Sequence, residues 1–175
     1  MPLPIPERSS RSLLRVLGVI LAVVASAMFC DLRGDEPAQT AVSYPAGFRE
    51  WVHVKSGVLG AEFAMEPERG IHHVYANKIA LAGLESGKFE DGSILVYDLV
   101  SMSEKDGVGT EGARRRIDLM IKDSKRYADS GGWGFGRFMG DDHEHDVLTA
   151  DVRKICAQCH GKQKAHDFVF SELRK

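Results

Sequence analysis

The sequence predicts an α+β fold in a single domain, and three observations carry that prediction. Residues 71–76, 93–100 and 114–122 are short runs, rich in β-branched and aromatic side chains, whose members alternate between two faces as strands do. Residues 77–86 and 147–158 instead repeat their apolar positions at the helical period, and Asn77 and Gly87 supply a start and a stop for the first of them. Near the C-terminus the chain reads Cys156-Ala157-Gln158-Cys159-His160, two cysteines two residues apart followed at once by a histidine.

Length and charge bound the rest. The chain has 175 residues and a net charge of −2, with 27% charged residues of both signs, so nothing favours a nucleic-acid partner. Arg8, Arg11 and Arg15 precede an uncharged apolar run over residues 16–29. That run is short for a membrane span and suits the apolar region of a signal peptide. Ala25-Ser26-Ala27 supplies a small-residue cleavage pattern, so residues 1–27 are expected to be a signal peptide that sends the chain to the periplasm. Left uncleaved, the same run would anchor the protein to the membrane. Residues 28–43 are polar, with Gly34 and Pro37, and read as a linker to a domain over 44–175. Bulky Phe29 disfavours lipidation of Cys30, which has no assigned role.

Within the domain, Phe48, Trp51, Val52 and Lys55 fall on one face of a short amphipathic helix, which leaves His53 solvated. Residues 61–70 read as a loop or weak edge strand. In 71–76 alternation sends His72, Val74 and Ala76 to one face and Ile71, His73 and Tyr75 to the other, so the two histidines cannot line one pocket. The helix after Asn77 turns Ala80, Leu81 and Leu84 inward. In the strand over 93–100, Leu95, Tyr97 and Leu99 oppose Ile94, Val96 and Asp98. Residues 101–112, with Gly107, Gly109 and Gly112, read as a long polar turn. Ile117, Leu119 and Ile121 then point inward against Asp118, Met120 and Lys122, after a solvated strand end at Arg114-Arg115-Arg116. The glycines of 131–136 lack the Lys-Ser/Thr pair of a phosphate loop, and are expected to let a strand approach something flat and bulky. Residues 141–146 form a polar run without the spacing of a metal site and are expected to face water.

Among chemical motifs, Cys156-x-x-Cys159-His160 is the most specific, because this order and spacing is that of c-type haem attachment. One helical turn carries both sulfurs to two vinyl groups on one porphyrin edge, and the next residue brings an imidazole beneath the ring. A redox dithiol would sit near the start of a βαβ unit, and zinc would need a second ligand pair that the chain's three cysteines do not provide. The sequence therefore predicts one haem c per chain, covalently held by Cys156 and Cys159, with His160 as axial iron ligand. No motif marks Met65, Met102, Met120 or Met139 as a sixth ligand.

Several further stretches stand in a fixed order: Tyr44-Pro45-x-Gly47-Phe48-Arg49-x-Trp51, Ile71-His72-His73-Val74-Tyr75 and Gly87-x-Phe89-x-Asp91-Gly92. Residues 122–127 (Lys-Asp-Ser-Lys-Arg-Tyr), Gly132-Trp133-Gly134-Phe135 and Asp167-Phe168-Val169-Phe170 follow them. With the haem motif they make the chain resemble the cytochrome P-460 family, which includes the β-type cytochromes c′. The resemblance implies an antiparallel β-sheet with a few helices, one covalent haem and a homodimer. It also implies one of two chemistries. Cytochromes P-460 oxidise hydroxylamine through a haem linked to a lysine, whereas β-type cytochromes c′ lack the link and bind nitric oxide or carbon monoxide at an open iron. By alignment the linking lysine falls at Tyr97, and residues 93–100 contain no lysine, which favours binding of nitric oxide or another small diatomic. Tyr97 could itself link to the ring, donate a hydrogen bond to a ligand or simply fill space. His72 falls at a polar distal position, where it would steer an iron ligand or hold a proton, or be a structural histidine. A plain electron carrier serving a partner cytochrome is a third reading and requires Met or His as sixth ligand.

Overall fold

The computed structural model describes residues 41–60 and 69–174. The expected signal peptide over 1–27, Cys30, most of the linker and the loop over 61–68 lie outside the described residues. Five strands run β1 (Val52–Leu59), β2 (Gly70–Ala76), β3 (Ile94–Lys105), β4 (Val108–Lys122) and β5 (Trp133–Met139). They pair in that spatial order, every neighbour antiparallel. Helix α1 (Lys78–Ser86) connects β2 to β3, and α2 (Ala150–His160) follows β5. This is the α+β fold with an antiparallel sheet that the sequence predicts. Among the described residues no helix is long and apolar enough to cross a membrane.

Both faces of the sheet are covered, because the side-chain alternation of β3 and β4 is apolar on each side. On one face Val74, Ala76, Leu95, Met120, Trp133 and Phe135 pack under α1, Phe89 and Val169. On the other, Val96, Ile117, Leu119 and Phe138 pack under Val42, Phe48 and Tyr127. The expectation that Met120 and Lys122 face water is therefore corrected, since they are only 8% and 9% exposed.

The helix expected over 48–55 is a three-residue 3-10 turn (Phe48–Glu50) leading into β1. Val52, His53 and Val54 suit an edge strand, and a register irregularity between His53 and Lys55 tucks Val54 into the core. The long polar turn over 101–112 is instead a continuation of the β3–β4 ladder to Lys105↔Val108. Asp106 and Gly107, at φ 55° and 77°, close it as a two-residue hairpin. Asn77 caps α1 by accepting the Ala80 N–H at 2.8 Å, and Gly87 ends it at φ 78°, as their residue types require. The arginines of 114–116 are not a solvated end. Arg114 binds fully buried Asp98 at 2.9 Å and Asp141 at 2.7 Å, while Arg116 binds Asp118 at 2.7 Å.

Candidate functional site

Helix α2 carries the cysteine–histidine motif, and buried charge rather than apolar burial fixes it to the sheet. Its only buried residue is Arg153, which donates to the Phe135 carbonyl at 3.0 Å, to the Leu148 carbonyl and to the Asp146 carboxylate. Asp146 also accepts the backbone N–H groups of Val42, Arg137 and Leu148 at 3.0–3.1 Å. The run over 141–146, expected to face water throughout, thus ends in a side chain 1% exposed. Neighbouring Asp142 keeps to expectation: it caps its own loop and takes the His145 ring at 2.8 Å.

Pinned in this way along β5, α2 turns Cys156, Cys159 and His160 into a cavity of about 500 Å³ that His72 and Tyr97 also line. Cys156 is half-buried and Cys159 exposed, both free thiols. Burial pushes the Cys156 thiol up, reinforced by the Asp118 carboxylate. The His160 ring packs between Phe135 at 5.1 Å and Phe170 at 5.0 Å. Its Nδ1 lies 2.8 Å from the Phe168 carbonyl. A carbonyl only accepts, so Nδ1 carries the proton and Nε2 keeps its lone pair. Burial holds the imidazole pKa below its ordinary value, partly opposed by that hydrogen bond.

Sheet register builds the facing wall. Lys55, Val74, Tyr97, Asp118 and Arg137 stand in one row across the five strands. Asp118 is held by Arg137 and by Arg116, the latter at 2.7 Å. Sequence reasoning did not find this charged group, because alternation alone placed Asp118 on a solvent face. The matching signal was the opposite charge at Arg137, visible only once β4 and β5 are in register. One step along the sheet, the His72 ring stacks on Tyr97 at 4.6 Å and 16°. Gly57 opposite makes room for it, since a Cβ there would lie 2.5 Å from the His72 ring. Nδ1 of His72 has no hydrogen-bond partner among the described residues. Burial lowers the His72 pKa, with Lys55 and His73 adding to the effect.

As alternation predicted, His73 lies on the other face. There it contacts Glu111 at 2.7 Å and shares Ser56, at 2.7 Å, with His53, whose own distance is 2.9 Å. His53 is therefore hydrogen-bonded, not merely solvated. The glycines of the fifth strand serve protein side chains. A Cβ at Gly134 would meet the Tyr127 ring at 2.3 Å, and one at Gly136 would meet Val42 at 1.9 Å.

A family model described as Cytochrome P460 matches residues 45–171. The chain belongs to the cytochrome P460 family. No curated protein matches it. Family membership implies a haem, and the cavity suits one. Its volume lies within the roughly 300–1,000 Å³ of cofactor sites. One imidazole nitrogen is free for a metal. Leu95, Met120, Phe135 and Val169 form an apolar wall, and Ile155 and Phe170, 62% and 46% exposed at its lining, offer apolar surface that a porphyrin face would cover. A haem there would also explain why α2 leaves Ile155 uncovered by the polypeptide.

Proposed function

We propose that this protein is a monohaem c-type cytochrome that binds nitric oxide or a similar small diatomic at an open iron position. The convergence of Cys156, Cys159, His160, His72 and Tyr97 on one cavity carries this reading. Cys156 and Cys159 would hold the haem as thioethers, and Nε2 of His160 would ligate the iron. When bound, haem supplies an iron that accepts a small ligand and exchanges one electron. His72 offers a neutral imidazole whose Nδ1 has no partner among the described residues, able to donate to or accept from a polar ligand. Asp118, tied to two arginines, stays engaged with them in the wall.

The electron-carrier reading has less support. Met120 is the one methionine among the described residues that lines the cavity. Its cross-strand partner is Phe135, on which His160 packs, and no motif marks it as a sixth ligand. Hydroxylamine oxidation remains the second reading, because Tyr97 stands in the wall at the position where the linking lysine aligns. Export to the periplasm and assembly as a homodimer belong to the same proposal.

Intact mass and peptide mapping of the matured protein test it. Haem joined through Cys156 and Cys159 alone, with high-spin iron that takes up nitric oxide, is the expected result. A further bond from Tyr97 would move the proposal to hydroxylamine oxidation. Holoprotein without covalent haem, or low-spin in both redox states and indifferent to ligand, would overturn it. Sedimentation of the holoprotein and N-terminal sequencing of the exported form check the dimer and the cleavage before Met28.

A further inference from the structure

Four of the stretches that carry the family resemblance meet at Asp167. Its carboxylate accepts Lys122 Nζ at 2.7 Å through Oδ1 and the Phe89 N–H at 2.9 Å through Oδ2. Its carbonyl accepts Trp133 Nε1–H at 2.9 Å. Lys122 is 9% exposed, also donates to the Gly131 carbonyl at 3.1 Å, and lies over the Trp133 ring at 5.0 Å. So much polar bonding around one exposed-type residue at a chain reversal needs a reason.

The backbone supplies it. Asp167 and Phe168 are consecutive non-glycine residues in the left-handed region, at φ 49° and 68°. Such a pair persists only where surrounding contacts over-determine it. Here the Asp167 carboxylate is hooked from two sides, and the Phe168 ring lies on the bare Cα of Gly131, where a Cβ would come within 2.3 Å. The consequence is the direction of the Phe168 carbonyl, which meets His160 Nδ1 at 2.8 Å.

We infer that Asp167, clamped by Lys122 and the Phe89 N–H, is a positioning residue that holds the Phe168 carbonyl on His160 and so tunes the imidazole as an iron ligand. A firmly held acceptor on Nδ1–H makes the imidazole a stronger donor through Nε2, which stabilises the ferric state and lowers the reduction potential. The inference rests on His160 being the axial ligand proposed above.

Two variants of the holoprotein test it. Asp167→Asn keeps the shape but turns one acceptor into a donor facing Lys122 or the Phe89 N–H. Lys122→Met removes the clamp and leaves Asp167 in place. Both are expected to shift the ferrous iron–histidine stretching band in resonance Raman to lower frequency and the reduction potential in the positive direction. Ser130→Ala is the control for general loosening. It removes the 2.6 Å bond to the Trp133 carbonyl in the same corner without touching Asp167, and should leave band and potential unmoved. Potential and band unchanged in a folded Asp167→Asn or Lys122→Met protein overturn the inference. So does an equal shift in Ser130→Ala. In the wild-type protein, an iron–histidine band insensitive to 15N-labelled histidine would instead defeat the ligand assignment itself.

Discussion

Replacing Asp146 by alanine should loosen helix α2 from the sheet. The Asp146 side chain is 1% exposed and its Arg153 partner 7% exposed. Truncation leaves a buried guanidinium without its counter-charge and takes the acceptor from the N–H groups of Val42, Arg137 and Leu148. Removing one member of a buried pair costs about 3–5 kcal/mol. For a domain of this size that lowers the melting temperature by roughly 10–20 °C. Arg153→Met should be milder, because Asp146 keeps its amide donors. The double variant should be destabilised by about 1–3 kcal/mol less than the sum of the two, the coupling expected of groups in one network. Thermal unfolding of the holoprotein at pH 7, followed by circular dichroism in a double-mutant cycle, measures all of these. Melting of Asp146→Ala within 2 °C of wild type, on the scale of surface substitutions of about 0.5 kcal/mol, would refute the reasoning.

Three other outcomes follow from the same structure. Burial keeps the His72 pKa below the ordinary imidazole value of 6.5. As pH falls, the unfolded chain is protonated first, so the stability held by neutral His72 is complete above that value and lost through the lower folded pKa. Denaturant titrations from pH 7.5 to 5 should show that loss, with a shallower slope in His72→Gln; equal slopes would contradict it. Gly57→Ala places a Cβ 2.5 Å from the His72 ring, so His72 must leave its stack on Tyr97. Overpacking there should lower stability by about 1–3 kcal/mol and change nitric oxide dissociation, and unaltered dissociation kinetics would separate His72 from the ligand. Gly134→Ala meets the Tyr127 ring at 2.3 Å and should destabilise by about 1–3 kcal/mol on denaturant unfolding, with the haem spectrum unchanged because Tyr127 packs on the opposite face. A changed haem spectrum would instead make the haem the flat, bulky group that this glycine was expected to let the strand approach.

How much was legible depends on whether the signal was local. The strand over residues 71–76 and the helix capped by Asn77 and Gly87 follow from alternation and capping chemistry, and both stand where the residues put them. The motif at Cys156, Cys159 and His160 is likewise local, one helical turn read from spacing. Near Val52 local pattern misled, because an edge strand with a bulge repeats its apolar positions much as a short helix does. At residues 101–112 polarity suggested a turn, although a hairpin projecting past the sheet has little core to bury and stays polar while fully paired.

By itself, then, the sequence determined the fold class, the period of most elements and the place of the Cys156-x-x-Cys159-His160 motif. Only the tertiary structure decided that Asp118 meets Arg137, that Asp146 anchors α2, and that Asp167 turns a carbonyl toward His160. The physical reason is that a charge taken wholly or partly out of water is stable only beside its partner. These partners come from distant segments, brought together by strand register and by the way the C-terminal segment folds back, neither of which is written in any single stretch of the chain.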